Sequence, residues 1–341
     1  MVKSFSLKCC ALFDIVFAKK PFQYGFIFKR NYMTMKIAYI ILTHRYPEQL
    51  IRLIDRLDTE KSTFLIHIDK KVDRKSFDLV CSQLKIRPNV HFIKRYTCHW
   101  AGFGIVKATF QGIKEAIEKK LEFDYLSLIS GQDYPIKSNK YIFNFFRKHN
   151  GKSFMHLNSF PFSYWKDQND GWDRVKFWHI IRKEIQFPFA KNSMPFTSKL
   201  ANLLWNILNK FVPIYKIRRK FPIGFHPYGG CQFWFLYKDH ALYVYDFIIK
   251  KPSFFKFFRF VLVPDEIVFQ TIIGNSKLTP NVVPDSMHFL KWTKAGEAET
   301  LTQSDFNSLK SSNCLFARKF DCNLDSEVLS LIDKEILFPR G

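Results

Sequence analysis

The chain has 341 residues and carries 53 Lys and Arg against 30 Asp and Glu, a formal net charge of +23. That length suits one large α/β domain, and 47% apolar with 24% charged residues is ordinary for a globular protein rather than a disordered one. The charge favours anionic partners without choosing among nucleic acid, an anionic membrane surface and phosphorylated substrates.

Residues 1–34 read as an uncertain extension. Their apolar run Cys9–Ala18 is broken by Asp14 and followed by Lys19-Lys20-Pro21, so it predicts neither a signal peptide nor a spanning helix. Met33 or Met35 is an alternative start, which leaves the segment a mis-annotated start or a basic, aromatic membrane-surface arm. Residues 35–330 are expected to form one domain, with a nucleotide-binding half at 35–157 and an acceptor and diphosphate-binding half at 158–330.

Lys36–Thr43 is a continuous apolar run that predicts a central parallel strand, and Leu50, Leu53, Ile54 and Leu57 give Pro47–Leu57 a helical face. The alternation continues through a strand at 63–69, a helix at 73–84, a strand at 90–94, a helix at 104–120 and a strand at 125–130. It implies a doubly wound, mostly parallel sheet whose ligand crevice lies at the carboxyl ends of the strands. Those ends carry His44-Arg45, Asp69-Lys70-Lys71 and Gly131-Gln132-Asp133. Between the third strand and the next helix, Trp100-Ala-Gly-Phe-Gly104 could present backbone amides to a phosphate, although it is no phosphate-binding Gly-Lys-Ser/Thr loop.

From 158 to 222 the pattern dissolves into an aromatic, basic region. Between 174 and 220 eleven Lys and Arg face only Asp173 and Glu184, which predicts a solvated basic face or a membrane-facing patch. Gly229-Gly230 then leads into an apolar strand, Cys231–Tyr237, and a helix over 238–249. Asp265 and Glu266 open a further predicted helix through Ile273, where the positive end of the dipole would hold Glu266 ionised.

Some fifty residues later stands Leu315-Phe-Ala-Arg-Lys-Phe-Asp321, whose Arg318 and Lys319 sit among apolar residues. A carboxylate paired with such cations suits group transfer from an activated phosphate: Glu266 would take a proton from the attacking hydroxyl, and Lys319 would stabilise the departing diphosphate. Each also has a plainer structural reading, as an N-terminal helix acid and as an alkyl stem lying over a core. No Asp-x-Asp occurs. Asp58-Thr-Glu60 and Asp325-Ser-Glu327 do not follow strands, so no metal or other cofactor is expected and protein cations take its place. The seven cysteines form no Cys-x-x-Cys pair or even framework, which points to a reducing compartment.

Ile40-Leu-Thr-His44 (the run ending at His44), His67-Ile-Asp-Lys70, Trp100-Ala-Gly102, Leu128–Ile136, Gly229-Gly-Cys-Gln-Phe-Trp234, Pro264-Asp-Glu266 and Leu315–Asp321 stand in one order and spacing across about 36–325. Together they resemble the core-2/I-branching β-1,6-N-acetylglucosaminyltransferase family, which also contains peptide O-xylosyltransferases. The resemblance implies a GT-A-type fold and metal-independent, inverting transfer from a UDP-sugar to a glycan or lipid-linked glycan. It makes Glu266 the base and puts Lys319, Arg318, His44 and Asp69 on the donor and diphosphate side. Asp133, Trp234, Gly230 and Trp100 fall on the sugar and acceptor side. The family's second diphosphate cation is missing: Gly296, Glu297 and Glu299 occupy its neighbourhood, with Arg318, Lys291 and Lys294 as substitutes. GlcNAc is the favoured donor and xylose the alternative. The chain is expected to be a bacterial relative, cytoplasmic and peripheral at the inner membrane face. The rival class is a non-enzymatic basic binding protein for membrane or nucleic acid, and nucleic acid is disfavoured because no helix-turn-helix, zinc-finger spacing or RNA-binding aromatic motif occurs.

Overall fold

The computed structural model describes residues 35–182, 185–188, 218–293 and 298–338. The predicted alternation is present: β1 (Ile37–Thr43), α1 (Pro47–Leu57), β2 (Ser62–Ile68), α2 (Arg74–Leu84), β3 (Val90–Phe92), α3 (Phe103–Glu118) and β4 (Tyr125–Ser130). β1 lies between β2 and β4, parallel to both, and β3 extends the parallel array beyond β2. Beyond β4 the sheet changes sense. The strand Trp234–Tyr237 runs antiparallel to β4 and to β6 (Ser153–Met155), and Val282–Val283 closes the far edge parallel to β6. The seven-stranded sheet is therefore mixed but mostly parallel.

Period-2 alternation in β1 sends Ile37, Tyr39 and Ile41 into one core and Ala38 and Ile40 into another, so both faces are covered. The first core takes the buried residues of α1, α2 and α4 (Asn139–Lys148), together with the C-terminal helix. The second takes α3 and the helices Lys238–Lys250 and Val268–Gly274. Each fully buried aliphatic side chain here contributes about 1.5–3 kcal/mol. A Cβ on Gly112 of α3 would stand 2.6 Å from the Ile40 side chain, so glycine is what lets this helix approach the sheet so closely.

A second, three-stranded sheet carries the polar residues. β5 (Tyr134–Pro135) is antiparallel to Phe316–Arg318, which is parallel to His288–Leu290. The C-terminal helix is fastened beside it: the carboxylate of Asp333 receives Arg52, Arg56 and the Tyr134 hydroxyl. No helix among the described residues is long and apolar enough to cross a membrane. The 1–34 extension lies outside the described residues, as does most of 183–217.

Candidate functional site

Three loops and a strand end converge at the carboxyl edge of the parallel strands, and backbone bonds between them fix the site. The Val263 amide donates to the Ala101 carbonyl (3.1 Å), the Leu262 amide to the Arg174 carbonyl (3.1 Å), and the Gly230 amide to the Glu266 carbonyl (3.0 Å). Ala101 and Val263 both have left-handed backbones, with φ of 59° and 49°. For a β-branched valine that conformation costs of order 1–3 kcal/mol and persists only where its surroundings impose it. A Cβ on Gly230 would lie 2.1 Å from the His156 carbonyl oxygen, so this position admits only glycine without a backbone shift.

Glu266 does not open an α-helix as expected. It closes a short 3₁₀ turn, Pro264–Glu266, and the helix proper begins at Val268, because Val263 enters left-handed and Ile267 departs from helical angles. The predicted helix-dipole support is replaced by a partner that the sequence did not offer. Arg174 Nη1 donates to Glu266 Oε2 at 2.8 Å, with the Arg174 side chain 9% and the Glu266 side chain 26% exposed. Burial raises the Glu266 carboxyl above its ordinary range, while Arg174 and more weakly Arg318 oppose the rise. Next to it, buried Asp265 is pushed up to about 7, first by burial and then by Glu266, and its Oδ1 has no partner.

Arg318 and Asp133 form the second charged pair. Ala317 sits opposite Tyr134 in the antiparallel register, which brings the following Arg318 to the residue preceding Tyr134. Arg318 Nε donates to Asp133 Oδ1 at 2.8 Å, and its guanidinium lies 4.1 Å from the Phe233 ring centroid. Asp133 is fully buried and also accepts the Ser130 amide at 2.5 Å. The thiol of Cys231, pushed up to about 11 mainly by burial, feels Glu266, Arg318 and Asp133 together, so it lies between the two pairs.

Lys319 is half-buried, and its amine has no hydrogen-bond or ion-pair partner among the described residues. Its backbone is held by Glu299 and Leu301, and the peptide joining it to Arg318 is cis. Of the expected substitutes for the missing cation, Lys291 is neutralised by Glu299 (2.9 Å) and Asp305 (3.1 Å), and Lys294 lies outside the described residues.

His44 is exposed at the end of β1, within the fields of Asp69, Lys71 and Arg318; burial and Arg45 lower its pKa. Asp69 is buried and committed to backbone: Oδ1 accepts the Lys71 amide and Oδ2 the Cys98 amide, tying the end of β2 to the loop before α3. That loop presents Trp100, 64% exposed. Trp234 corrects its expected place at the acceptor: it is wholly buried in the sheet, packed against Phe269, with its indole N–H unpartnered.

The expectation of a solvated or membrane-facing basic face fails at two of its positions. Arg174 is buried beside Glu266. Arg219 is buried too, donating to the carbonyls of Phe257 and Phe260 at the end of a helix and lying against the Phe257 and Trp178 rings. Lys183, Lys191, Lys199, Lys210 and Lys216 lie outside the described residues. The sequence signal that could have found Arg174 is its neighbourhood of Trp165 and Trp172 in a segment with no surface periodicity, since an Arg among aromatics is an interior arrangement.

Among the described residues no group of three His, Cys, Asp or Glu is placed to hold a metal ion. The family model described as Core-2/I-Branching enzyme matches residues 37–310. The chain is 22% identical over 335 residues to xylosyltransferase 2 of Rattus norvegicus, covering 90% of this chain and 34% of that protein. It is 21% identical over 330 residues to xylosyltransferase oxt of Drosophila melanogaster, covering 89% and 34%. It thus spans about a third of the length of these curated relatives. Among solved structures, mouse xyloside xylosyltransferase 1 in its apo form aligns with a TM-score of 0.35 at 11% identity, over 85% of this chain and 98% of that one. The mannosyltransferase Ktr4p of Saccharomyces cerevisiae in complex with GDP aligns with a TM-score of 0.31 at 9% identity, over 73% and 67%.

Proposed function

Because this chain belongs to the Core-2/I-Branching enzyme family, we propose that it transfers a sugar from a UDP-sugar to a glycan hydroxyl by a single inverting displacement. The observation that carries the reading is the partly exposed Glu266 carboxylate, set beside Arg174 and within the field of Arg318 at the carboxyl edge of the parallel strands. The acceptor oxygen attacks the anomeric carbon as its proton passes to Glu266. The bond from that carbon to the diphosphate breaks, and the electron pair leaves with UDP, whose charge meets the uncommitted amine of Lys319. Arg318 can add to that field only in part, since Asp133 already neutralises it. The reaction is proposed to need no metal, with a glycan or lipid-linked glycan as acceptor, at an anionic membrane surface on the cytoplasmic side.

GlcNAc and xylose stand level as donors. The Ser130–Ile136 and Leu315–Asp321 motifs favour GlcNAc, while the relatives named above are called xylosyltransferases. Incubation with UDP-GlcNAc or UDP-xylose in EDTA, reading UDP release, decides both questions. Release from one donor selects it; activity only after Mg²⁺ or Mn²⁺ is restored would overturn the metal-free mechanism; silence with a wider UDP-sugar panel would overturn the donor class.

A further inference from the structure

Resting on the reading of Glu266 as base, we propose that Arg174 is a positioning residue for the transfer: it aims the Glu266 carboxylate and keeps it ionised in a buried setting. Arg174 is held on three sides. Its Nε donates to Gln168 Oε1, its guanidinium lies 3.6 Å from the Trp165 ring centroid, and its backbone carbonyl accepts the amide of Leu262, which leads into the turn carrying Glu266. A guanidinium fixed in this way offers Nη1 in one direction, and it is spent on Glu266 Oε2. The other carboxylate oxygen, Oε1, has no hydrogen bond among the described residues, and about a quarter of the side chain faces solvent. One oxygen is anchored and the other is open, which is the arrangement needed to receive a proton from an incoming hydroxyl.

The charges around Glu266 leave this task to Arg174. Asp265, on the same turn, would oppose ionisation and is itself unpaired. Cys231, on the approach to the strand Trp234–Tyr237, is a thiol kept neutral by burial. Arg318, from the second sheet, is within range but bonded to Asp133. Arg174 is therefore the cation in direct contact with the carboxylate among the described residues. The aromatic, basic segment at 163–176, which the sequence suggested as surface, supplies the control element of the reaction.

The test is the pH dependence of kcat in Arg174→Met, Arg174→Lys and Gln168→Ala, each checked for folding by circular dichroism. Loss of the cation should move the acid limb to higher pH by at least about one pH unit. The deficit of Arg174→Met should then be at least about tenfold deeper at pH 6 than at pH 9, because the ionised fraction below the limb changes tenfold for each such step. Arg174→Lys should fall between Met and wild type. Gln168→Ala, which loosens the guanidinium without removing its charge, should lower kcat with little movement of the limb. UDP affinity should be unchanged in all three. An acid limb that stays at its wild-type position in Arg174→Met, or in Arg174→Lys if the Met variant does not fold, would overturn the proposal whatever the loss in rate. The base reading is checked separately: if Glu266→Gln keeps its turnover, that reading has failed, and Arg174 is then a structural partner.

Discussion

A carboxylate that accepts a proton from a hydroxyl must first be ionised, yet burial pushes Glu266 above its ordinary range and only its cationic neighbours hold it down. Since the working form is the deprotonated one, activity should rise with pH through a limb lying above the usual glutamate range, and a pH–kcat profile reads that limb directly. Replacing Glu266 with Gln preserves shape and removes basicity. Transfer should fall by about 10²–10⁴ with UDP affinity nearly intact, and a variant keeping more than about half of wild-type turnover would take Glu266 out of the mechanism. At Lys319 the expectation differs, because a diphosphate carries charge before and during bond cleavage. Lys319→Ala should weaken UDP binding and turnover together, and isothermal titration showing unchanged affinity would return Lys319 to a cation lying over a core.

At the scale of elements, the site depends on how closely backbones approach. The Gly230 amide holds the Glu266 carbonyl while the same residue lies against His156. Gly230→Ala should force these strands apart and cost about 1–3 kcal/mol of stability, with a loss of activity larger than that thermal shift explains; an unaltered melt and full activity would show that the approach is not needed. The parallel strands and their helices were legible in the sequence because each carries one strong period, as in β1 and α1. The reversal of sense at Trp234–Tyr237 was not, since direction leaves no mark on an apolar run. Glu266 and Arg318 were found by motif, but their partners were hidden. Asp133 meets Arg318 through a register set 185 positions away, and Arg174 looked like surface because charge in a sequence does not show its burial. Trp234 misled for the opposite reason, as a tryptophan beside a glycine pair serves as core or as platform with the same letters.

For the molecule as a whole, acid should unfold the protein before it titrates the salt bridges. His67 is 1% exposed, accepts the Tyr96 amide through Nε2, and is lowered to about 4 by burial, so the folded state takes its proton later than the unfolded chain. That contribution is present above about pH 6.5 and is lost as pH falls towards 4, amounting to about 3 kcal/mol over the interval. Asp333, held below its ordinary range by Arg56, Tyr134 and Arg52 against the opposing effect of burial, releases its share only at still lower pH. A melting temperature that falls between pH 7 and 5, with a flatter dependence in His67→Gln, is the expected result; identical slopes in the two proteins would move the effect to His179 and His288, also buried and lowered.

The buried amide of Gln49 reaches across nearly the whole chain, donating to the carbonyls of Gly131 and Phe320 and accepting the amide of Cys322. On the ribosome, the parallel strands can therefore collapse into a sheet long before the seam that carries Arg318 and Lys319 emerges to join them. Until that seam arrives, a nascent chain has its proton acceptor and no uncommitted cation for the leaving group. Synthesis thus ends, rather than begins, with a competent site, and a polypeptide cut short before the strand Phe316–Arg318 should hold much of the sheet while neither binding UDP nor turning it over.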